Sequence, residues 1–380
     1  MLFNQIIGQD HIKKHLQVSA EQGRIPHAQL FIGKEGSGTL PMAIAYAQFL
    51  LSHFSENPEI SGIKCEKLQH PDLHFAFPIT TTENVKSHPV SDLFLDDWRQ
   101  FMATQPYGSL FNWLQHIGVE NKQGFINVDE AEEIVKKLQL KSYEGGFKVM
   151  IIWMAEKMNA SAANKLLKLI EEPPPKTVFL LIVADEEQLL STIKSRCQAL
   201  HFPVLSAQDI AKFLVINYEL SENEASKIAH NAEGNFNKAL ELLNNDNSDL
   251  VFEEWFVEWV RTAFRAKGNM AVVQQLIAWS EKISKTGRET QKRFLEYCLQ
   301  FFRQALLLSY KSDHLVYMET KTNFKLEKFA SFVHSNNILD IEKELNDAMY
   351  HIERNGNPKI ILLDLSIKLT RFLHKKEAKV

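Results

Sequence analysis

The sequence has 380 residues, contains little cysteine and has no long apolar run. Its three cysteines, Cys65, Cys197 and Cys298, stand far apart without a Cys-x-x-Cys pair. They therefore predict neither a disulfide framework nor a zinc site. The longest uninterrupted apolar run, residues 178–184, is much shorter than the roughly 20 residues that cross a bilayer as a helix. These shortages argue against a disulfide-rich secreted domain and against a membrane-spanning segment.

An excess of charge of either sign is also missing. Lysine and arginine number 43, and aspartate and glutamate number 47, which gives a net charge of −4. This balance argues against an autonomous DNA-binding protein with a strongly basic surface. The opening residues, MLFNQIIGQDHIKKHL, lack the apolar core of a secretory signal, so we expect a soluble cytoplasmic protein. The length corresponds to two or three domains of about 100–200 residues each.

The first two hundred residues alternate apolar runs with helical patterns. Asp129 and Glu132 have the spacing of a capping box and predict a helix start, and a further helix is expected over about 161–171. Apolar runs separated by helices indicate a parallel sheet that is covered on both faces. The runs that predict buried strands are 27–32, 148–152 and 178–183.

Strand patterns disappear after residue 205, and the remainder is predicted to be helical. Apolar side chains at helical spacing follow residue 252, and Asn357 with Pro358 has the form of a helix start. We therefore expect an α/β class chain with three domains. They are an α/β domain over 1–204 with an insertion at about 79–125, a small helical domain over 205–246 and a helical C-terminal domain over 247–380.

A glycine loop lies between the first predicted strand and the following helix, where a phosphate-binding loop would be found. Its glycines are Gly33, Gly36 and Gly38. A working loop continues with a lysine that neutralises the phosphates and a hydroxyl that binds magnesium. Thr39 and Leu40 occupy these two positions here. The loop therefore keeps its turn and lacks its cation.

The acidic half of an ATPase site is missing as well. Carboxylates should follow the apolar strand that ends near residue 152, to hold magnesium and to orient the attacking water (the Walker B positions). Trp153 and Met154 stand there and can do neither, and Glu156 lies too far along to replace them. Two independent losses on the two sides of one site predict that this chain does not hydrolyse ATP.

Six motifs occur together in an order and spacing that resemble the clamp-loader AAA+ subunits of bacterial replication. The combination of a decayed phosphate loop with an intact Ser-Arg-Cys motif is most similar to the members of that family that do not hydrolyse ATP. The motifs are 7–9 (IGQ), 26–31 (PHAQLF), 70–73 (HPDL), 162–168 (AANKLLK), 171–174 (EEPP) and 192–197 (TIKSRC).

The resemblance implies an AAA+ fold with a lid domain and a C-terminal collar domain. It also implies a replisome-associated ring with gamma/tau and delta subunits that loads the sliding clamp onto primed DNA. In such rings the arginine of Ser195-Arg196-Cys197 reaches the ATP of a neighbouring subunit as an arginine finger. Two alternatives stay open: Arg196 could pair only with a carboxylate of its own domain, and the chain could be an ATP-hydrolysing gamma/tau-type AAA+ subunit or a related ATPase.

Several departures from the family pattern accompany these motifs. Asn237 replaces the usual lid arginine, and Val183-Ala184 replaces a polar sensor side chain. Many relatives carry a four-cysteine zinc module before the His-Pro-Asp motif, of which Cys65 alone remains. We therefore expect no ATP, zinc or other metal to be held by this chain. The rings of the insertion are expected to pack on their own domain, with contact to another subunit as the alternative; they are Phe94, Trp98, Phe101, Tyr107, Phe111 and Trp113.

Overall fold

The computed structural model describes residues 2–119, 121–244, 248–312, 316, 320 and 322–376. The chain divides into two compact units. The N-terminal unit comprises Met1–Val119 and Gln123–Leu243, and the C-terminal unit is built on Asn244–Val380. The predicted α/β domain and the predicted lid thus fall in one unit. The predicted boundary between residues 246 and 247 lies outside the described residues.

The N-terminal unit is built on a five-stranded sheet in the order β2-β3-β4-β1-β5, in which every pairing is parallel. This confirms the predicted α/β class and the three predicted strands. The two outer strands were not predicted from the sequence, since both are short and β5 is largely exposed. The strands are β1 (Ala28–Ile32), β2 (Leu73–Ala76), β3 (Lys148–Trp153), β4 (Thr177–Val183) and β5 (Gln198–His201).

Successive residues of the central strands enter two different hydrophobic cores, because side chains alternate across a sheet. Ile151 and Leu180 point into the core that contains α2, whereas Met150 and Phe179 point into the core that contains α6 and α7. The sheet is therefore covered on both faces. The helices of this part are α1 (Asp10–Glu21), α2 (Thr39–His53), α3 (Pro58–Glu66), α4 (Leu95–Thr104), α5 (Leu110–His116), α6 (Val128–Gln139), α7 (Ala160–Glu171) and α8 (Ser191–Lys194).

The start of α6 differs from the prediction. The N-cap is Asn127, whose side chain accepts a hydrogen bond from the backbone N–H of Glu130, so the Asp129–Glu132 capping box was wrong. Asn127 and Glu130 have the same three-residue spacing and lie two residues earlier in the chain. Glu130 is buried and accepts a hydrogen bond from the backbone of Ser91 in the insertion, which gives this position a second role.

The insertion forms α4 and α5, and its large rings pack back onto the N-terminal unit. Trp98 and Trp113 are fully buried and meet edge to face, with ring centroids 5.2 Å apart. Phe77, at the end of β2, stacks on Trp98 at 4.2 Å, and the indole N–H of Trp113 donates to the carbonyl of Pro78. Burial of large aromatic side chains contributes strongly to stability. The predicted packing on the same domain is confirmed for Phe94, Trp98, Phe101 and Trp113, whereas Tyr107 packs with residues of the predicted small helical domain.

Helices make up the rest of the described chain. Three short ones, which we call the lid, complete the N-terminal unit: α9 (Ala207–Tyr218), α10 (Glu222–Asn231) and α11 (Phe236–Leu243). The C-terminal unit contains α12 (Ser248–Arg265), α13 (Met270–Ser284), α14 (Arg288–Ser309), α15 (Leu326–Ala330), α16 (Ser335–Glu353) and α17 (Pro358–Phe372). The predicted helix start at Asn357 is confirmed, since its side chain caps α17. Within the described ranges, no helix combines the length and apolar character needed to cross a membrane.

Candidate functional site: a closed glycine loop and an exposed arginine

The glycine loop connects β1 to α2, and its backbone conformation requires glycine. Gly36 and Gly38 have φ angles of +71° and +92°, in the left-handed region that side chains rarely adopt. A Cβ atom at Gly36 would overlap the side-chain oxygen of Asn235 in the lid. Glycine is thus needed here for the turn and for the close approach of the lid.

The lid is bonded directly to this loop. The backbone N–H of Phe236 donates to the carbonyl of Gly36 at 3.2 Å. The amide groups of Asn235 and Asn237 both donate to the carboxylate of Glu35, at 3.3 and 3.4 Å. Asn237 also donates to Asn112 of the insertion at 2.9 Å. The residue at the family's lid-arginine position therefore ties the lid to the loop and to the insertion.

Tyr107 of the insertion lies over the same loop. Its ring meets Phe236 edge to face at 4.9 Å, and its hydroxyl accepts a hydrogen bond from the backbone N–H of Ile7 at 3.0 Å. A Cβ atom at Gly38 would lie 3.3 Å from this ring. Burial raises the pKa of the Tyr107 hydroxyl well above its ordinary value, out of the range in which a phenol ionises in cells. The ring therefore stays neutral and fills space beside the loop.

The two positions after the loop are buried. Leu40 is 3% exposed and belongs to the core between α2 and the sheet, and Thr39 is 9% exposed. A Cβ atom at Gly33 would contact the Thr39 methyl group at 2.8 Å, so the threonine packs against the loop backbone. Lys34 lines the remaining cavity from the entry side of the loop. Thr39 and Leu40 offer no cation to a bound phosphate.

The acidic positions of an ATPase are filled by side chains without charge. Trp153 ends β3 and packs against Trp98 of the insertion, with ring centroids 5.3 Å apart. Met154 follows with a φ of +54° and is half-buried. The tryptophan at this position and the rings of the insertion form one aromatic cluster, a link that sequence reasoning missed because the residues lie far apart in the chain.

The cavity that remains at the loop has a volume of about 30 Å³. Gly36, Tyr107, Trp153 and Ala184 contribute to its walls. Pockets that hold small-molecule ligands usually measure about 300–1,000 Å³, whereas about 30 Å³ corresponds to a single water molecule. The cavity beside the glycine loop is therefore far smaller than an ordinary ligand pocket in this structure.

Glu156 performs a structural role beside this cavity. Its carboxylate accepts a hydrogen bond from the backbone N–H of Ala184 at 2.9 Å and so links the end of β3 to the end of β4. Burial raises the pKa of this carboxyl group above its ordinary value. One oxygen of this carboxyl group is therefore engaged with the backbone.

Arg196 lies between α8 and β5 and is partly exposed, with 32% of its side chain accessible. Its Nε donates to the carboxylate of Glu171 at 3.0 Å, and a terminal nitrogen donates to the carbonyl of Thr192 at 2.9 Å. A guanidinium has five N–H donors. Three donors of Arg196 thus form no hydrogen bond with the described residues. The guanidinium therefore keeps donors available while it is paired with Glu171.

Arg196 and the glycine loop lie at opposite ends of the sheet. Strands β1 and β5 are parallel, with Gln29 opposite Gln198 and Ile32 opposite His201. Arg196 precedes β5, whereas the loop follows β1. At about 3.3 Å per strand residue, the two are separated by on the order of 15 Å. The arginine therefore cannot reach its own glycine loop.

The residues on either side of Arg196 have structural roles. The hydroxyl of Ser195 donates to the carbonyl of Thr192 at 3.2 Å. Cys197 is half-buried, and burial raises the pKa of its thiol to about 11, so it stays protonated and unreactive at neutral pH. Of the predicted triplet, Arg196 is the residue whose charge is accessible.

Residues 52–70 form the end of α2, α3 and adjoining turns, and several of their side chains contact Glu144. The carboxylate of Glu144 accepts hydrogen bonds from Ser61 and Lys64, both at 2.6 Å, and contacts the imidazole of His70 at 3.1 Å. Lys64 and Ser61 hold the pKa of Glu144 down at about 2. Cys65 is buried beside this cluster. In the described part of the chain, no group of three or more His, Cys, Asp or Glu side chains is arranged to hold a metal ion.

The family model and the relatives described here are all subunits of DNA polymerase III. The model of the family described as "DNA polymerase III, delta subunit" matches residues 8–206. DNA polymerase III subunit delta' of Bacillus subtilis is 31% identical over 63% of this chain and 60% of its own length. The chain thus aligns with less than two thirds of that relative. Subunit delta' of Escherichia coli is 31% identical over 34% of this chain and 38% of its own. Subunit tau/gamma of Haemophilus influenzae is 27% identical over 63% of this chain and 30% of its own length.

Proposed function

Because this chain belongs to the DNA polymerase III delta subunit family of clamp-loader proteins, we propose that it is a delta-prime subunit that does not hydrolyse ATP. Its partners are the gamma/tau and delta subunits of a cytoplasmic, replisome-associated ring, and through that ring it acts on the sliding clamp and primed DNA. The observation that carries this proposal is the closed glycine loop. A cavity of about 30 Å³ has no room for a triphosphate and its magnesium ion.

The chemistry at the loop supports the same conclusion. Phosphoryl transfer needs cations at the β- and γ-phosphates and a metal held by carboxylates. Thr39 and Leu40 stand at the lysine and hydroxyl positions, and Trp153 and Met154 stand at the acidic positions. Opening the lid would not supply any of these groups. A loop with this composition fits a subunit whose own site is structural.

Arg196 is the proposed contribution to a neighbour's site. Its guanidinium keeps its charge at all physiological pH values and carries donors in a planar fork that suits phosphate oxygens. Three of those donors are free of hydrogen bonds to the described residues, and the group lies far from its own loop. In the ring, Arg196 contacts the γ-phosphate of ATP in the adjacent subunit and stabilises the charge that develops during hydrolysis.

The test uses the full chain with ATP-hydrolysing clamp-loader subunits. Arg196→Ala should lower ATP turnover at the adjacent site by on the order of 10³. Arg196→Lys should recover little of that loss, because lysine lacks the fork. Arg371→Ala, which removes an exposed arginine of α17, is the control and should leave turnover unchanged. Equal turnover in the Arg196→Ala ring and the unmodified ring would refute the finger role.

The second candidate is an ATP-hydrolysing gamma/tau-type subunit, which the similarity to tau/gamma sequences favours. The two candidate functions predict different ATP turnover and ATP binding by the isolated chain. A delta-prime subunit with this loop should show no magnesium-dependent ATP turnover and no binding of a fluorescent ATP analogue. Turnover by the isolated chain that is lost on changing Gly36 would establish the second candidate instead.

A further inference from the structure

The C-terminal unit contains an open groove of about 820 Å³ that the proposed clamp-loader role does not account for. Its walls come from α12, from α15 with the residues just before it, and from the end of α17. Phenylalanine rings and aliphatic side chains form the floor. The apolar residues that line it are Val260, Phe264, Phe324, Phe329, Phe332 and Leu373.

Four cations surround this apolar floor. They are Arg261, Arg265, Lys325 and Lys328, and the described lining contains no aspartate or glutamate. All four side chains are exposed. Arg261 lies over the ring of Phe324, with its guanidinium carbon 5.6 Å from the ring centroid. The attraction between a cation and an aromatic face helps to hold this guanidinium beside the groove.

The groove cations also lack acidic partners among the described residues. Some lysines elsewhere in the unit do pair with carboxylates, for example Lys282 with Glu258 and Lys368 with Glu344. Among the described residues, none of the four groove cations forms an ion pair; Arg265 donates to Gln275 and to the carbonyl of Arg261. Neighbouring cations without counter-charges repel one another and create a positive potential that an anionic ligand relieves.

We propose that this groove binds an acidic segment of another protein, with apolar side chains seated on the phenylalanine floor and carboxylates paired with the four cations. Arginine forms bidentate hydrogen bonds with carboxylates, which adds geometric selectivity to charge. The volume suits the apolar side chains of one or two helical turns, the arrangement found when an amphipathic helix occupies a groove.

The geometry of the rings favours a peptide over a nucleic acid. Single-stranded nucleic acids stack their bases on free aromatic faces. Phe264 is stacked on His374 at 4.7 Å and 13°, one face of Phe324 lies under Arg261, and Phe329 is 8% exposed. The groove therefore presents ring edges and methyl groups, which pack well against leucine or phenylalanine side chains and poorly against flat bases.

The test measures binding of defined probes to the full chain by fluorescence anisotropy. The first probe is a fluorescein-labelled peptide of about twelve residues, with Asp and Glu on one helical face and Leu and Phe at helical spacing on the other. The second has the same charge with Ser in place of every Leu and Phe, and the third is an oligothymidine of similar length. We expect the first to bind at least about tenfold more tightly than the second, with an affinity that falls as salt rises.

Charge reversal locates the binding site. Arg261→Glu combined with Lys328→Glu should weaken binding of the first peptide at least about tenfold. Lys282→Glu combined with Lys285→Glu makes the same change in net charge on exposed positions of α13 and the residue after it, and should have little effect. If the reversed variant misfolds, Arg261→Gln with Lys328→Gln replaces it. Tighter binding of the oligothymidine, equal binding of both peptides, or equal loss in both charge variants would overturn the proposal.

Discussion

Closure of the lid on the glycine loop can be tested at Gly36, where the structure gives both the perturbation and its control. Gly36 has a φ of +71° and is covered by the lid, whereas Gly23 has a φ of +68° and no heavy atom within 4 Å of the position that an alanine methyl group would take. Alanine at either position carries the cost of the left-handed conformation, about 1–2 kcal/mol. Any further loss at Gly36 measures the contact with the lid.

That further loss can be worked out from the contacts. A Cβ atom at Gly36 would overlap Asn235 Oδ1 and lie 2.7 Å from the backbone nitrogen of Phe236. The lid must move, which breaks the Phe236–Gly36 backbone bond and the amide bonds to Glu35. One net hydrogen bond is worth about 1 kcal/mol, so the loss of these three bonds predicts that Gly36→Ala costs about 3 kcal/mol more than Gly23→Ala.

Two measurements distinguish the variants. Urea denaturation of the full chain gives the difference in the free energy of unfolding. Amide hydrogen exchange in α11 reports opening of the lid and should rise in Gly36→Ala while remaining unchanged in Gly23→Ala. Equal destabilisation by the two substitutions, with unchanged exchange in α11, would refute the conclusion that the lid is held shut by the loop.

Two further predictions concern Glu144 and Trp98, the centres of two side-chain clusters in the N-terminal unit. Glu144→Gln should destabilise the fold at pH 7 by about 1–3 kcal/mol through loss of charged hydrogen bonds. Because the folded pKa of about 2 lies below the ordinary 4.5, that contribution is present above about pH 5 and disappears as the pH falls towards 2. Thermal melts should therefore depend less on acid pH in the variant than in the unmodified chain, and identical pH profiles would contradict this. Trp98→Ala should cost about 3–5 kcal/mol in urea denaturation, since the ring is fully buried against Phe77, Trp113 and Trp153, whereas a loss under about 1 kcal/mol would show that the cluster is unimportant.

Sequence patterns predicted the central sheet because each buried strand is a continuous apolar run. Strand β5 has no such run, since it lies at the edge of the sheet and is largely exposed. The start of α6 was placed at Asp129 because its spacing to Glu132 fits a capping box, but Asn127 has an equivalent partner in Glu130. Local spacing alone could not choose between the two, because the deciding factor is burial of Glu130 against the insertion.

The sequence predicted which charged groups are missing at the candidate site, but it did not predict that other segments of the chain cover the glycine loop. Thr39, Leu40, Trp153 and Met154 occupy positions that a motif fixes, so their identities alone predict a missing cation and missing acids. Tyr107 covers the loop from a distant part of the chain, in a segment that no motif aligns with the loop. Contacts of this kind depend on how the insertion folds back, which no periodicity in the sequence describes.

The contacts that hold the lid on the glycine loop are relevant to the proposed role of Arg196, which lies at the opposite end of the sheet. Glu35, Gly36 and Asn112 hold the lid through bonds within the protein. In the proposed ring, we expect the surface that carries Arg196 to keep the same geometry whichever nucleotide the neighbouring subunit holds. An arginine finger acts through charge that is already in place when the transition state forms, and internal packing that holds the domain without a ligand would suit Arg196 to the role that we propose.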